Sequence, residues 1–285
     1  MPKTTAKKPS TTKRAIKPVT TKPKAGYRIM VRSRHPSHRP LRTALSRLPF
    51  RTVVRFGSTW LGDGKGRTEC NSAAAIRTSA SKRLMKQAFT ASGVITADWE
   101  NSYNNIAAFV ARVGFPIVAK HIHGSRGTGN YLIKSQAELT AWVNGKTLEN
   151  YIFEKFYDYS REYRLHVTRD GCFYTCRKML KETTPEANRW YRNDSNSVWI
   201  LETNQAFDKP RNWDAIVAES VKALTAVGLD VGAIDVRVQS ARNKDGAIRQ
   251  QPKFIILETN SAPSFGEVTL EKYTQVIPQI LRNKR

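Results

Sequence analysis

No stretch of the 285 residues is apolar for the length that a membrane-spanning helix needs, and the N-terminus has no apolar block of the secretory kind. The expectation is a soluble protein of the cytoplasm, with no membrane partner. Cysteine is scarce: Cys70, Cys172 and Cys176 are odd in number and form neither a Cys-x-x-Cys pair nor a zinc-ligand spacing, which excludes a disulfide framework and predicts reduced thiols. Acid is scarce too. There are 23 Asp and Glu against 48 Lys and Arg, a formal net charge of +25. Residues 1–25 contain eight basic residues, no acid, and Ile16 as their one large apolar residue beyond Met1. That composition cannot bury enough apolar surface to offset ordering, so the segment is expected to be a disordered basic tail. The excess of positive charge continues beyond the tail and predicts attraction to nucleic acid or another polyanion, with strong salt dependence.

Ordered structure is expected from Tyr27, with β-type runs at 27–31 and 52–56 around a helical pattern at 40–48, a small α/β unit. His35 and His38 lie in its loop among Arg and Pro and read as solvated. Gly57, Gly62, Gly64 and Gly66 mark a following loop that either covers a site or only connects elements. Residues 81–92 read as an amphipathic helix with Leu84, Met85, Ala88 and Phe89 inward, Lys82 in the first turn and Lys86 solvated.

Ile117-Val118-Ala119-Lys120 is a buried-looking strand ending on a lysine, followed by Gly124-Ser125-Arg126-Gly127-Thr128-Gly129 and a second strand from Asn130. Glycines let backbone N–H groups approach phosphates, and Lys120 and Arg126 add charge, so the segment reads as a phosphate clamp. The glycine spacing and the strand that follows exclude a dinucleotide fingerprint, and the loop does not end in the Gly-Lys-Ser/Thr of a P-loop. Further on, Asp235 lies in an apolar run at 231–238, and Glu258 and Asn260 lie in Phe254-Ile255-Ile256-Leu257-Glu258-Thr259-Asn260. Residues two apart on an extended chain share a face. Two carboxylates and an amide oxygen on paired strands make hard oxygen ligands suited to Mg²⁺ carrying a nucleotide; the plainer alternative is a sheet edge with solvated acids.

Arg164 lies on one strand face with Glu162, in a hairpin that turns at Asp170-Gly171. On the return strand Arg177 and Lys178 point to opposite faces, so one of them reaches a phosphate, and alternation leaves the choice open. The same alternation places Cys172 and Cys176 on one face. Trp190-Tyr191-Arg192-Asn193 lies in an irregular stretch, 182–205, where Arg192 and Asn193 either face an acceptor or belong to a surface excursion held by Trp190 and Trp199. The helical pattern at 212–227, with Trp213, Ile216, Val217, Val221 and Leu224 inward, is core.

Taken in order, Lys120, the glycine-rich loop, Glu154-Lys155-Phe156, Glu162 and the acidic strands resemble the ATP-grasp superfamily, and within it the carboxylate-amine ligases such as D-alanine:D-alanine ligases and ribosomal-protein glutamate ligases. The resemblance runs from about Ser81 to the C-terminus. It implies an α+β fold in which two lobes sandwich ATP: 81–157 as the nucleotide-clamp lobe and 158–285 as the metal-binding lobe, after a reduced pre-ATP unit at 26–80 and the tail at 1–25. It implies that Lys82 contacts the phosphates, that Glu154, Lys155 and Phe156 line the adenine pocket, and that Glu162 binds the ribose hydroxyls. An ion pair of Glu162 with Arg161 or Arg164 is the competing reading. ATP and one or two Mg²⁺ ions, with Mn²⁺ as a substitute, are the implied cofactors; a carboxylate and an amine, the acceptor a metabolite, a protein or peptide, or a nucleobase, are the implied partners. A dimer or tetramer is common in the family. The short pre-ATP unit and the histone-like tail would suit a phage or viral protein.

Overall fold

The structure, a computed structural model, describes residues 28–31, 40, 41, 43, 45, 48 and 52–284 apart from 61, 65, 125, 126 and 265. The tail at 1–25, His35, His38, Ser125, Arg126 and part of the helix expected over 40–48 lie outside the described residues. Three sheets organise the rest. The first is parallel, with β1 (Arg28–Val31), β2 (Thr52–Phe56) and β3 (Thr68–Cys70) in that order. Two helices follow without a break. Ser72 and Asp63 accept from the first N–H groups of α1 (Ala73–Ala80), and Ser81 both ends that helix and caps α2 (Lys82–Ala91).

A four-stranded antiparallel sheet comes next in sequence: β4 (Trp99–Glu100), β5 (Ile117–His121), β6 (Asn130–Ile133) and β7 (Tyr151–Lys155), ordered β4-β7-β5-β6. Ile106 and Phe109 of α3 (Ile106–Val113) and Leu139 of α4 (Gln136–Val143) close one of its faces, forming a core with Ile117, Ile133 and Phe153. The third sheet is antiparallel and larger. It contains β8 (Arg161–Thr168), β9 (Gly171–Leu180), β10 (Ser197–Leu201), β11 (Val231–Val238) and β12 (Phe254–Asn260), ordered β10-β9-β8-β11-β12. Against it packs α5 (Trp213–Ala226), through Trp213, Ile216, Ala223 and Leu224. A separate core joins Tyr273, Ile277 and Leu281 of α6 (Glu267–Asn283) to Val54 and Phe56 of the first sheet and to Val231. Most strand and helix expectations are met; α1, rich in alanine and without a stripe, and the strands β3 and β10, the latter inside the stretch read as irregular, were not anticipated.

Three expectations need correction. In α2, Leu84 is 45% exposed while Lys86 is fully buried, because the helix turns Met85, Lys86 and Phe89 inward. Met85 and Phe89 join the core of the five-stranded sheet. Cys172 and Cys176 do not share a face: a β-bulge at His166/Val167 breaks the alternation, and Cys172 joins the core under α5 while Cys176 lies opposite Arg164.

Asn71 fastens the first sheet to the rest. At φ +60° its amide group donates to the carbonyls of Arg55 and Val231 and accepts from the N–H groups of Asp230 and Val231, and its own N–H donates to the Asp230 carboxylate. Asn tolerates the left-handed region better than other non-glycine residues. Asn71→Ala is therefore expected to cost about 2–4 kcal/mol in denaturant unfolding, from buried polar groups left unpaired. A loss under about 0.5 kcal/mol would show that this anchor is redundant.

Candidate active site

The four- and five-stranded sheets line one cleft of about 640 Å³. From the smaller sheet come Lys120 at the end of β5, Glu154 and Lys155 of β7, and the glycine loop between β5 and β6. From the larger sheet come Glu162 and Arg164 of β8, Lys178 of β9, Asp235 and Arg237 of β11, and Glu258 and Asn260 of β12. Lys82, at the start of α2, completes the meeting of the two sides. Its N–H donates to the Ile122 carbonyl and its ammonium to the Gly124 carbonyl. Burial lowers the Lys82 pKa from the ordinary lysine range.

The loop's glycines have steric reasons. A Cβ at Gly124 would collide with the Thr128 carbonyl oxygen, and Gly129, at φ +77°, would place one 2.8 Å from His121 Cβ. Gly127 lies beside the Tyr191 ring, and Thr128 is exposed in the same turn.

Charge is balanced in the cleft by paired groups. Glu154 gives one oxygen to Lys120 at 2.7 Å and the other to Lys86 at 3.3 Å. Burial pushes its carboxyl up, but these two ammonium groups more than offset this and leave it below its usual range. Asp235, also buried, takes Arg164 through both oxygens at 2.7 and 2.8 Å, and Lys178 at 2.8 Å. Glu162 holds Lys178 at 3.1 Å, Arg237 at 3.3 Å and Arg192 at 3.9 Å. Burial raises the Glu162 carboxyl, yet Lys178 and Arg237 bring it below normal. The expected alternative partners of Glu162 were wrong: Arg164 is committed to Asp235, and Arg161 to Asp208 and the Gln239 carbonyl.

The structure decides between Arg177 and Lys178. Lys178 enters the cleft; Arg177, on the opposite face of β9, donates to the carbonyls of Ala206 and Phe207 and pairs with Asp208. Arg177 therefore does not line the cleft. Lys178→Met is expected to lower any activity of this cleft by roughly a hundredfold, and Arg177→Met by less than about threefold. Steady-state rates of both variants check this.

The acids stand as the strand pattern predicts. Asp235 and Glu258 are register partners across β11 and β12, and Ala233 is the partner of Asn260, so the three line one end of the cleft. The Asn260 amide donates to Glu258 at 3.3 Å. Two carboxylates side by side repel unless cations intervene. Arg164 and Lys178 provide that for Asp235, while Glu258 faces the cleft with Asn260 as its one side-chain hydrogen-bond partner among the described residues. This donor set suits a hard divalent ion, with Glu258 and Asn260 offering oxygen and Asp235 sharing its remaining lone pairs.

Other residues fall less simply. Lys155 lines the cleft but donates to the carbonyls of Gly114 and Phe115. Phe156 lies under the Arg237 guanidinium, 5.8 Å from its ring centre, and edge-on to Trp190. Arg192 donates to the Ser160 carbonyl, and burial lowers its pKa to about 10. Asn193 lies near Gly127, so the irregular stretch borders the cleft. Arg237 was missed. Its spacing from Asp235 is the period-two signal that could have found it. Trp199, beneath Arg164 and Lys178 at 4.9 and 5.3 Å, has no such signal, because its place follows from β10 pairing with β9.

No protein-family model matches the sequence, and no curated protein is similar to it in sequence. Solved structures do match. A D-alanine–D-alanine ligase from Bacillus anthracis superposes with a TM-score of 0.57 at 14% identity, over 90% of this chain and 96% of that one. The ATP-grasp ligase PsnB, solved with a minimal precursor, gives 0.58 at 12% identity over 91% and 99%. The chain has the ATP-grasp fold. A carboxyaminoimidazole ribonucleotide synthase from Aspergillus clavatus, complexed with ATP, gives 0.56 at 17% identity over 84% of this chain, which spans 61% of that protein's length. At these identities the ATP-grasp likeness is one of architecture.

Proposed function

We propose that this protein is an ATP-dependent ligase joining a carboxylate to an amine, with release of ADP and phosphate. The observation that carries the reading is the opposition, across one cleft, of a glycine loop with Lys82 and Lys120 and of Asp235, Glu258 and Asn260 with Arg164 and Lys178. ATP would lie between the sheets, its base toward Glu154, Lys155 and Phe156, its ribose toward Glu162, and its phosphates under Lys82, Lys120 and the loop's N–H groups. Glu162 would serve the ribose with the lone pairs that Lys178, Arg192 and Arg237 leave, and would hold those three cations in place.

A carboxylate oxygen of the first substrate attacks the γ-phosphorus, and ADP departs. The amine then attacks the acyl carbon, phosphate leaves, and the amine's proton passes to solvent. Positioning and charge neutralisation carry such transfers with little covalent help from the protein. Arg164, Lys178 and Arg192 are the groups placed to meet charge on the transferring phosphoryl, and Asn193 borders the same space. Asp235, Glu258 and Asn260 would hold Mg²⁺, which supplies Lewis-acid neutralisation of the β- and γ-phosphate oxygens when bound.

The net charge of +25 supports a polyanion partner, a reading compatible with a ligase whose acceptor belongs to a nucleoprotein particle. No helix among the described residues is long and apolar enough to cross a membrane. The test is ADP formation by the full chain with Mg²⁺ and pooled carboxylates, amines and peptides. ADP that requires both a carboxylate and an amine supports the ligase. A stable phosphorylated product without an amide identifies a kinase, and failure to bind ATP overturns the nucleotide assignment.

A further inference from the structure

Lys86 has no place in the chemistry above, yet it is fully buried. Its ammonium donates to the Thr96 hydroxyl at 2.5 Å and lies 3.3 Å from Glu154. Thr96 in turn donates to the Ile256 carbonyl at 2.7 Å. Glu154 passes the contact on to Lys120, which lines the cleft. A continuous polar chain thus runs from β12, two residues before Glu258, through Thr96, Lys86 and Glu154 to Lys120. It also crosses between lobes, because α2 packs through Met85 and Phe89 on the core of the larger sheet, whereas Glu154 belongs to the smaller one.

A buried ion pair adds little to stability compared with apolar residues of the same volume, since both charges lose their water. Stability alone is therefore a poor reason for an ammonium here. Its geometric effect is specific. By occupying one oxygen of Glu154 it leaves the other for Lys120, which already donates at 2.7 Å; without it, Lys120 would be the single counter-ion of a buried carboxylate whose second oxygen is unpaired, and would have less charge to offer the cleft.

We propose that Lys86 is a positioning residue of the nucleotide site, fixing the Glu154–Lys120 pair and tying it to the strand that carries Glu258. This rests on the reading of the cleft as an ATP site. Burial lowers the Lys86 pKa to about 8, against the pull of Glu154; Lys120 on β5 and Glu258 on β12 are the other charges that act on it. Lys82, on the same helix, faces the same cleft. As pH rises through about 8 the Lys86 charge is lost, and with it the balance at Glu154.

The experiment is calorimetric titration of ATP into the full chain at about pH 7 and pH 9, for wild type, Lys86→Arg and Lys86→Met, with thermal melts to establish folding. Wild-type affinity is expected to fall roughly tenfold between the two pH values. Lys86→Arg, which keeps its charge, should hold its affinity, and folded Lys86→Met should be roughly tenfold to a hundredfold weaker at pH 7. Wild-type-like affinity in folded Lys86→Met overturns the inference while leaving the ATP site standing. So does a pH loss that persists in Lys86→Arg, which would assign the titration to Lys82, and this comparison decides the matter should Lys86→Met not fold. No ATP binding by the wild type at either pH overturns the ATP reading and this inference with it.

Discussion

Glu258→Gln is expected to lower carboxylate-dependent ADP formation by roughly a thousandfold, a loss of several kcal/mol of transition-state stabilisation. Glutamine keeps the shape of the side chain and can still meet Asn260, so the fold should be unaffected. What changes is the charge. Among the strand-borne acids of the cleft, Glu258 alone has no ion pair among the described residues, whereas Asp235, Glu154 and Glu162 are each held by Lys or Arg. It is thus the carboxylate most available to a divalent ion, and an amide oxygen in its place is a much weaker ligand for one. Rates measured at several Mg²⁺ concentrations check the assignment. An apparent Mg²⁺ affinity weakened along with the rate supports a ligand role, and a variant with wild-type turnover rules it out.

The second large effect falls on stability. Asp235→Ala removes the counter-ion that Arg164 grips through two hydrogen bonds and Lys178 through a third. Lys178 is buried and the Arg164 side chain is only 13% exposed, and Glu162 can take up only Lys178. An unpaired guanidinium inside the protein costs about 3–5 kcal/mol, or roughly 10 °C in melting temperature for a chain of this size. A melt within about 2 °C of wild type would mean that water or a rearranged Glu258 takes over the role.

The same pair sets the acid limit of the fold. Burial drives the Asp235 carboxyl upward, but Arg164 and then Lys178 overcome this and hold it well below the usual carboxylate range. A group whose folded pKa is depressed contributes stability above its unfolded pKa, about 4 for Asp, and the contribution is lost as pH falls through the folded value. Glu154 and Glu162 are lowered in the same direction. Unfolding should therefore become steeply easier below about pH 4, and Asp235→Asn should flatten part of that slope. An unchanged slope in the variant would assign acid sensitivity to other carboxylates.

By itself the sequence determined the local elements and much of the site. Short apolar runs located β5, β11 and β12, face alternation located β8 and β9, and the glycine loop followed Lys120 because only glycine clears Thr128 and His121 there. Glu258 and Asn260, two apart on a strand, had to share a face, and chain order joined them to a nucleotide clamp. Tertiary structure alone decided which charges meet. A bulge separated Cys172 from Cys176, strand pairing chose Lys178 over Arg177, and packing of α2 between two sheets buried Lys86 while exposing Leu84. The physical reason is range. Alternation and helical spacing are set by backbone geometry over a few residues, whereas the partner of a charge is set by sheet order and lobe contact, which join residues such as Arg164 and Asp235 across 71 positions of chain.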